Sequence, residues 1–265
     1  VGVATDWLVV GGVEVSDSSH SALQQTPWQD LGVDVVVDCT GAFKTVEALQ
    51  PYFQQGVKKV VVSAPVKEQA LNVVMGVNDA LYDPLRHDIV SAASCTTNCI
   101  APVIKVLHEK FVVEHGLITT IHDVTNTQSV LDNFHKDLRR ARASGVSLIP
   151  TSTGSATAIT EIFPDLKGKL DGIAVRVPIA NASLADCVFE LANSVTPEEV
   201  NEALQTAAEG ELSGILGVER RPLVSVDYQG DSRSGVVDAL STRVVDDRQV
   251  KLLVCSSIAK GSFLA

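Results

Sequence analysis

"GVDVVVDCTG", residues 32–41, is a near-continuous run of β-branched side chains that stops on Thr-Gly. A strand that is apolar on both faces is covered on both faces, the habit of parallel sheets, so the run predicts a buried parallel strand. The neighbouring segments extend the pattern. "KTVEALQPYFQQG" (44–56) reads as a helix stopped by Gly56, "KKVVVSAP" (58–65) as a second buried strand and "HDIVSAAS" (87–94) as a third. Strands alternating with helical crossovers imply a parallel, doubly wound sheet. Upstream, "VGVATDWLVVGGVEVSD" (1–17) reads as a β-hairpin.

Beyond Cys95 the rhythm changes. A helix is expected from about residue 96 to 110, followed by longer alternating segments opened by "GLITTIHDVTN" (116–126). "KLDGIAVRVPIANASLADCVFELANS" (169–194) and "RPLVSVDYQGDSRSGVVDALSTRVV" (221–245) read as antiparallel strands with one wet face. Two helices interrupt them. One is "GSATAITEIFP" after Thr153; the other is "TPEEVNEALQTAAEG" (196–210), with a capped, acidic first turn at Thr196, Pro197 and Glu199 and a stop at Gly210. The fold class is therefore α/β plus α+β. A partial doubly wound, Rossmann-like sheet over residues 1–94 precedes a mostly antiparallel domain over 95–254, and 255–265 form a separate tail.

The net charge of −11, with no basic cluster to offset it, argues against a nucleic-acid partner. No apolar run reaches membrane-spanning length, and the first residues lack the basic and apolar regions of a secretion signal. The five cysteines, Cys39, Cys95, Cys99, Cys187 and Cys255, are few and odd in number, which suits free thiols in a reducing, cytoplasmic setting. Cys95 and Cys99 have no second Cys or His pair at a zinc-ligand spacing, so no metal is expected. Composition alone makes "HKDLRRARAS", inside 127–150, a solvated loop.

"SAASCTTNC" (91–99) places a thiol where a buried strand ends and a helix opens. Free N–H groups and the helix dipole favour thiolate there, and the carboxyl edge of an open α/β sheet is where ligands sit. Ser94, Thr96 and Thr97 are small enough for close approach. A nucleophilic cysteine needs a base, and His122, at the end of "GLITTI", is the best placed by sequence; His20, His87, His108, His115 and His135 stand in polar connections, helix ends or the basic loop.

"SAASCTTNCIAPV", followed by "PTSTGSATA" and "IAVRVP", resembles the phosphorylating glyceraldehyde-3-phosphate dehydrogenase family over residues 7–253. The resemblance implies an NAD- or NADP-dependent enzyme that oxidises a phosphorylated aldehyde. Cys95 would attack the aldehyde carbon, His122 would act as base and steady the oxyanion, and hydride transfer to the nicotinamide would leave a thioester that an oxyanion cleaves to an acyl phosphate. Thr125 and Arg176 match the family's site for the substrate phosphate. Ser94, Thr96, Thr153, Gly154 and Arg140 match its site for the attacking anion. Thr40, Gly41, Phe43, Ser63, Ala64 and Asn126 match cofactor contacts. The loop 127–150 matches the family's S-shaped loop, which lines a neighbouring subunit's cofactor pocket in a homotetramer, and this replaces the solvated-loop reading.

"HDVTNTQSVLDNFHKDLRRARAS", "NASLADCVFELA" and "DALSTRVV" depart from the glycolytic pattern. They look more like the variant that accompanies an arsenical efflux permease, which uses arsenate as the attacking anion and forms 1-arseno-3-phosphoglycerate. An erythrose-4-phosphate dehydrogenase is the alternative enzyme, though "TSTG" speaks against it. No GxGxxG stands anywhere in the chain, and after "QVKLLV" the sequence reads "CSSIAKGSFLA" where the family continues with Trp-Tyr-Asp-Asn-Glu. The expectation is a chain truncated at both ends, with an exposed sheet edge. A catalytically impaired subunit or interaction partner is then the reading opposed to an enzyme.

Overall fold

In the computed structural model, which describes residues 7–66, 70–125 and 127–257, the hairpin is present. Strand β1 (Trp7–Val10) pairs antiparallel with β2 (Val13–Ser16). The two-residue turn between them needs positive φ at both positions, and Gly11 (58°) and Gly12 (84°) adopt it. Then follow β3 (Val35–Asp38), α1 (Val46–Gln54), β4 (Lys59–Val62), β5 (Leu71–Asn72), β6 (Ile89–Ser91), α2 (Cys95–Phe111) and β7 (Val113–His122). The remainder comprises β8 (Ile149–Ser152), α3 (Ser155–Ile162), β9 (Leu170–Arg176), β10 (Ser183–Leu191), α4 (Pro197–Glu209), β11 (Leu216–Glu219), β12 (Gly235–Asp238), β13 (Arg243–Val245) and β14 (Gln249–Ser256).

The chain divides into two compact units, one of residues 1–71 with 83–91, the other of 72–82 with 92–265. In the first, β3, β4 and β6 run parallel in a sheet of order β3-β4-β6-β5. Helix α1 starts at Thr45, whose hydroxyl accepts from the Ala48 N–H, and buries Leu49 and Tyr52. Val36, Val60 and Val62 meet Leu49, Tyr52 and Ile89 in one apolar cluster. The expected burial of β3 on both faces is corrected. Val35 and Val37 are 53% and 58% exposed, because β3 is the edge strand and only its Val36/Asp38 face is covered.

The second unit carries a mixed sheet of order β11-β12-β14-β10-β7-β9-β8, with β13 beside β14. Most pairs are antiparallel, but β9 runs parallel to β7 and β11 parallel to β12, which corrects the all-antiparallel reading of 169–194. Residues 221–234 form no strand; a short 3-10 turn, Ser225–Tyr228, stands there instead. Along β10 burial alternates strictly, Ser183, Ala185, Cys187, Phe189 and Leu191 facing inward. Helices α2 and α4 supply Ile100, Ile104, Leu107, Val200 and Leu204 to the same core. The capping box at Thr196 and Glu199 forms as read. Cys255 and Ser256, the first residues of the expected tail, complete β14, Ser257 follows it buried, and 258–265 lie outside the described residues.

Candidate active site

Helix α2 begins at the thiol. Ala93 takes a left-handed φ of 56°, and Ser94 caps the helix, its Oγ accepting from the Thr97 N–H at 3.1 Å. Asn98, fully buried, donates through Nδ2 to the carbonyls of Ala92 and Ser94 at 2.7 and 3.0 Å, pinning the entry to the helix. Cys95 is thereby held in the first turn, with its Sγ 3.7 Å from His122 Nε2.

His122 ends β7, and the parallel register pairs it directly with Arg176 at the end of β9. The Arg176 Nη1 contacts His122 Nδ1 and donates to the Asp123 carbonyl at 3.0 Å. His122 Nδ1 also faces that carbonyl at 2.9 Å and the Asp123 carboxylate Oδ1 at 2.8 Å. Oδ1 stands out of hydrogen-bond alignment, so its attraction for the ring is one of charge.

Burial by itself pushes the Cys95 thiol up, yet the hydrogen bond and charge of His122, with the Thr96 hydroxyl and N–H, bring it below the ordinary thiol value. His122 is opposed by desolvation and by Arg176, but Asp123 and Cys95 outweigh both and raise it to about 9. Cys99, four residues along, is pushed up to about 12 by burial, which a hydrogen bond with Ser256 opposes without offsetting. The two thiols are thus driven in opposite directions.

A second set of groups lies along the starts of two helices. Ser94 Oγ contacts Thr97 Oγ1 at 2.7 Å and Ser155 Oγ at 3.4 Å, and Thr153 Oγ1 donates to Ser155 Oγ at 3.1 Å. Gly154 precedes α3, with open space where a Cβ would stand. Arg140 reaches from the 127–148 loop to Thr151 of β8, donating through Nε and Nη2 at 2.9 and 2.7 Å. Burial first, and the Arg140 charge after it, lower Arg176.

Of the residues singled out by sequence, Cys95, His122 and Arg176 thus meet, and Ser94 joins Thr153 through Ser155. Thr125 turns its hydroxyl to Gln128 Oε1 at 2.9 Å and to Thr127. In the first unit, Thr40 and Gly41 follow β3, with Gly41 at φ 65° and nothing within 4 Å of a notional Cβ. The Thr40 hydroxyl donates to Asp38 Oδ1 at 2.7 Å, Phe43 packs edge-on to Tyr52, and Ser63 and Ala64 follow β4. Asn126 lies outside the described residues. Sequence reasoning missed Asp123, Thr151 and Ser155. Asp123 was signalled by the His-Asp dipeptide and Ser155 by the serine after Thr-Gly; Thr151 had no signal apart from its nearness to both.

A thiol facing an imidazole, in a mixed-sheet unit that follows a parallel α/β unit along the chain, is the pairing used by cysteine-dependent enzymes. Residues 94–256 match the family described as glyceraldehyde 3-phosphate dehydrogenase, C-terminal domain, and residues 1–46 its NAD binding domain. Glyceraldehyde-3-phosphate dehydrogenase 3 of Nostoc sp. is 60% identical over 247 residues, covering 93% of this chain and 73% of that protein. Glyceraldehyde-3-phosphate dehydrogenase of Geobacillus stearothermophilus is 51% identical over 93% of this chain and 73% of its own length. Glyceraldehyde-3-phosphate dehydrogenase 2 of Bacillus subtilis is 49% identical over 94% and 73%. The chain belongs to the glyceraldehyde-3-phosphate dehydrogenase family, whose members are NAD-dependent oxidoreductases.

Proposed function

We propose that this chain oxidises glyceraldehyde 3-phosphate through a thioester on Cys95, releasing the acyl group to inorganic phosphate or arsenate. The observation that carries this reading is the 3.7 Å approach of Cys95 Sγ to His122 Nε2 at the start of α2.

The thiolate forms a C–S bond to the aldehyde carbon as the carbonyl π pair moves to oxygen. His122, protonated on Nε2, gives that oxygen its proton. It takes the proton back as the carbonyl re-forms and the C–H pair departs, leaving the thioester. Bound NAD supplies the oxidant that accepts the hydride. The free space beside Gly41, at the carboxyl ends of the parallel strands β3 and β4, suits such a group. Thr40, Gly41, Phe43, Ser63 and Ala64 would hold it, with Asn126; the adenosine-side preference for NAD or NADP rests elsewhere. An oxyanion then attacks the thioester carbon, the C–S bond breaks and the thiolate returns.

Arg176 Nε is a buried donor without a partner, which supports a phosphate oxygen of the substrate as its acceptor, alongside Thr125. Ser94, Thr96, Thr153, Gly154 and Arg140 form the second anion site, at the first turn of α3. A tetrahedral oxyanion of either element satisfies such donors. The departures after His122 favour arsenate, as in the arsenic-resistance variant. Turnover measured with arsenate against phosphate tests that preference, and equal rates at equal apparent affinity would remove it.

The exposed Val130, Leu131, Phe134, Leu138, Val146 and Leu148 on the 127–148 loop support burial of this loop against a second copy in a homotetramer. Among the described residues no helix is long and apolar enough to cross a membrane. We place the enzyme in the cytoplasm.

Iodoacetamide with peptide mapping tests the central claim. Near neutral pH Cys95 should be alkylated far faster than Cys99, with exposed Cys39 scored separately, and Cys95→Ser should abolish turnover. Equal, slow labelling of Cys95 and Cys99 would remove the activated thiol and the reading with it.

A further inference from the structure

His122 Nδ1 is a contested atom. An N–H donor, Arg176 Nη1, and two oxygens of Asp123 all crowd it. If the guanidinium donates to Nδ1, the ring is neutral and its single proton sits on Nε2. If the proton sits on Nδ1 and points at Asp123, Nε2 is free to hold a second proton against the sulfur, and the ring is an imidazolium. The two arrangements give Cys95 different partners.

We propose that the Asp123 carboxylate is a positioning residue that settles this contest, holding Nδ1 protonated and the ring cationic beside a half-buried guanidinium, so that Cys95, His122 and Asp123 act as a charged triad. This rests on the active-site reading above.

The charges facing His122 from each packed element can be counted. Helix α2 presents Cys95, β9 presents Arg176, the 127–148 loop adds Arg140 behind Arg176, and β10 contributes only the Ser183 hydroxyl, which accepts from the Asp123 N–H at 3.2 Å. Without Asp123, the Arg176 guanidinium would confront the imidazole with the thiolate as the ring's counter-charge. Asp123 is 2% exposed, and its Oδ1, engaged by no other donor among the described residues, stands 2.8 Å from Nδ1 in a low-dielectric setting. The rise of His122 to about 9 has the Asp123 side chain as its largest upward cause, followed by Cys95.

The test is the pH profile of Cys95 alkylation in the full chain and in Asp123→Asn, which keeps the shape and removes the charge. The unsubstituted protein should show an alkaline transition near 9 as His122 deprotonates, and Asp123→Asn should lower it by about one pH unit or more. Long-range 15N–1H spectra of the unsubstituted protein read the ring directly. Near pH 7.5 both His122 nitrogens should carry protons, and this holds as a test even where the variant fails to fold. A neutral ring with its proton on Nε2, or a transition that Asp123→Asn leaves in place, overturns the role of Asp123 while the enzyme reading stands. Absence of preferential Cys95 labelling in the unsubstituted protein overturns both.

Discussion

Ser94 Oγ and Ser155 Oγ lie 3.4 Å apart, 61 residues distant in sequence, each within the first turn or cap of a different helix. The contact joins the start of α2, which carries the thiol, to the start of α3, where the Ser155 N–H donates to Thr153 Oγ1 at 3.2 Å. Two helix N-termini converging on one hydroxyl chain is an arrangement that favours negative charge on a ligand.

Ser94→Ala should therefore do two things. Losing the cap costs about 1 kcal/mol, or about 2–4 °C in melting temperature for a unit of this size. Losing the hydroxyl bridge should also weaken inorganic phosphate binding, read by calorimetry. A variant that melts earlier yet binds phosphate unchanged would confine Ser94 to capping.

Gly235 of β12 holds α2 against the sheet. A Cβ there would meet the Cys99 carbonyl oxygen at 2.6 Å, and a helix backbone cannot give locally. Gly235→Ala should destabilise by about 1–3 kcal/mol through overpacking, seen as a lower urea midpoint. It should also slow Cys95 alkylation, because the helix start moves. Gly145→Ala, with no atom within 4 Å of the new methyl, should leave both unchanged.

Tyr52 donates to buried Asp38 Oδ2 at 3.0 Å, while Asp38 Oδ1 accepts from the Thr40 N–H and hydroxyl at 2.9 and 2.7 Å. This carboxylate fastens α1 to the turn after β3. Tyr52→Phe leaves Oδ2 without its donor at a cost of about 1–3 kcal/mol. Chemical denaturation followed by Trp28 fluorescence, whose ring packs on Tyr52 at 5.5 Å, should report it, and NAD affinity should fall as the Thr40-Gly41 turn loosens.

Stability against pH separates the two members of the thiol–imidazole pair. His122, raised in the folded state to about 9 against about 6.5 unfolded, stabilises fully below pH 6.5 and loses that contribution as pH climbs through about 9. Cys95, lowered in the folded state, works in the opposite sense: its contribution grows as pH rises toward the unfolded thiol value of about 8.5. Between those values the two contributions oppose each other, His122 losing stability with rising pH while Cys95 gains it. Urea midpoints should therefore depend less on pH for the unsubstituted chain than for Cys95→Ser, where the imidazole keeps only Asp123 to raise it and the midpoint falls with rising pH. A flat profile in the variant would show that Asp123 without the thiolate does not hold the imidazole up.

The hairpin was legible because Gly-Gly between alternating apolar residues admits one turn type, and α4 because a capping box, a proline and a glycine mark both of its ends. Cys95 was legible because strand, thiol and helix follow one another in the chain. Asp123 escaped notice since its meaning depends on the side to which a single carboxylate turns.

Sequence by itself determined most element types, though not the 3-10 turn within 221–234, together with the thiol's place at a helix start and the family, since these reside in local periodicity and contiguous motifs. Tertiary structure alone decided that β9 lies parallel to β7, which sets Arg176 beside His122 across 54 residues, and that β3 is an edge strand with Val35 and Val37 exposed. Register and strand order are fixed by which faces the whole core can cover, a sum over distant side chains that no single segment contains.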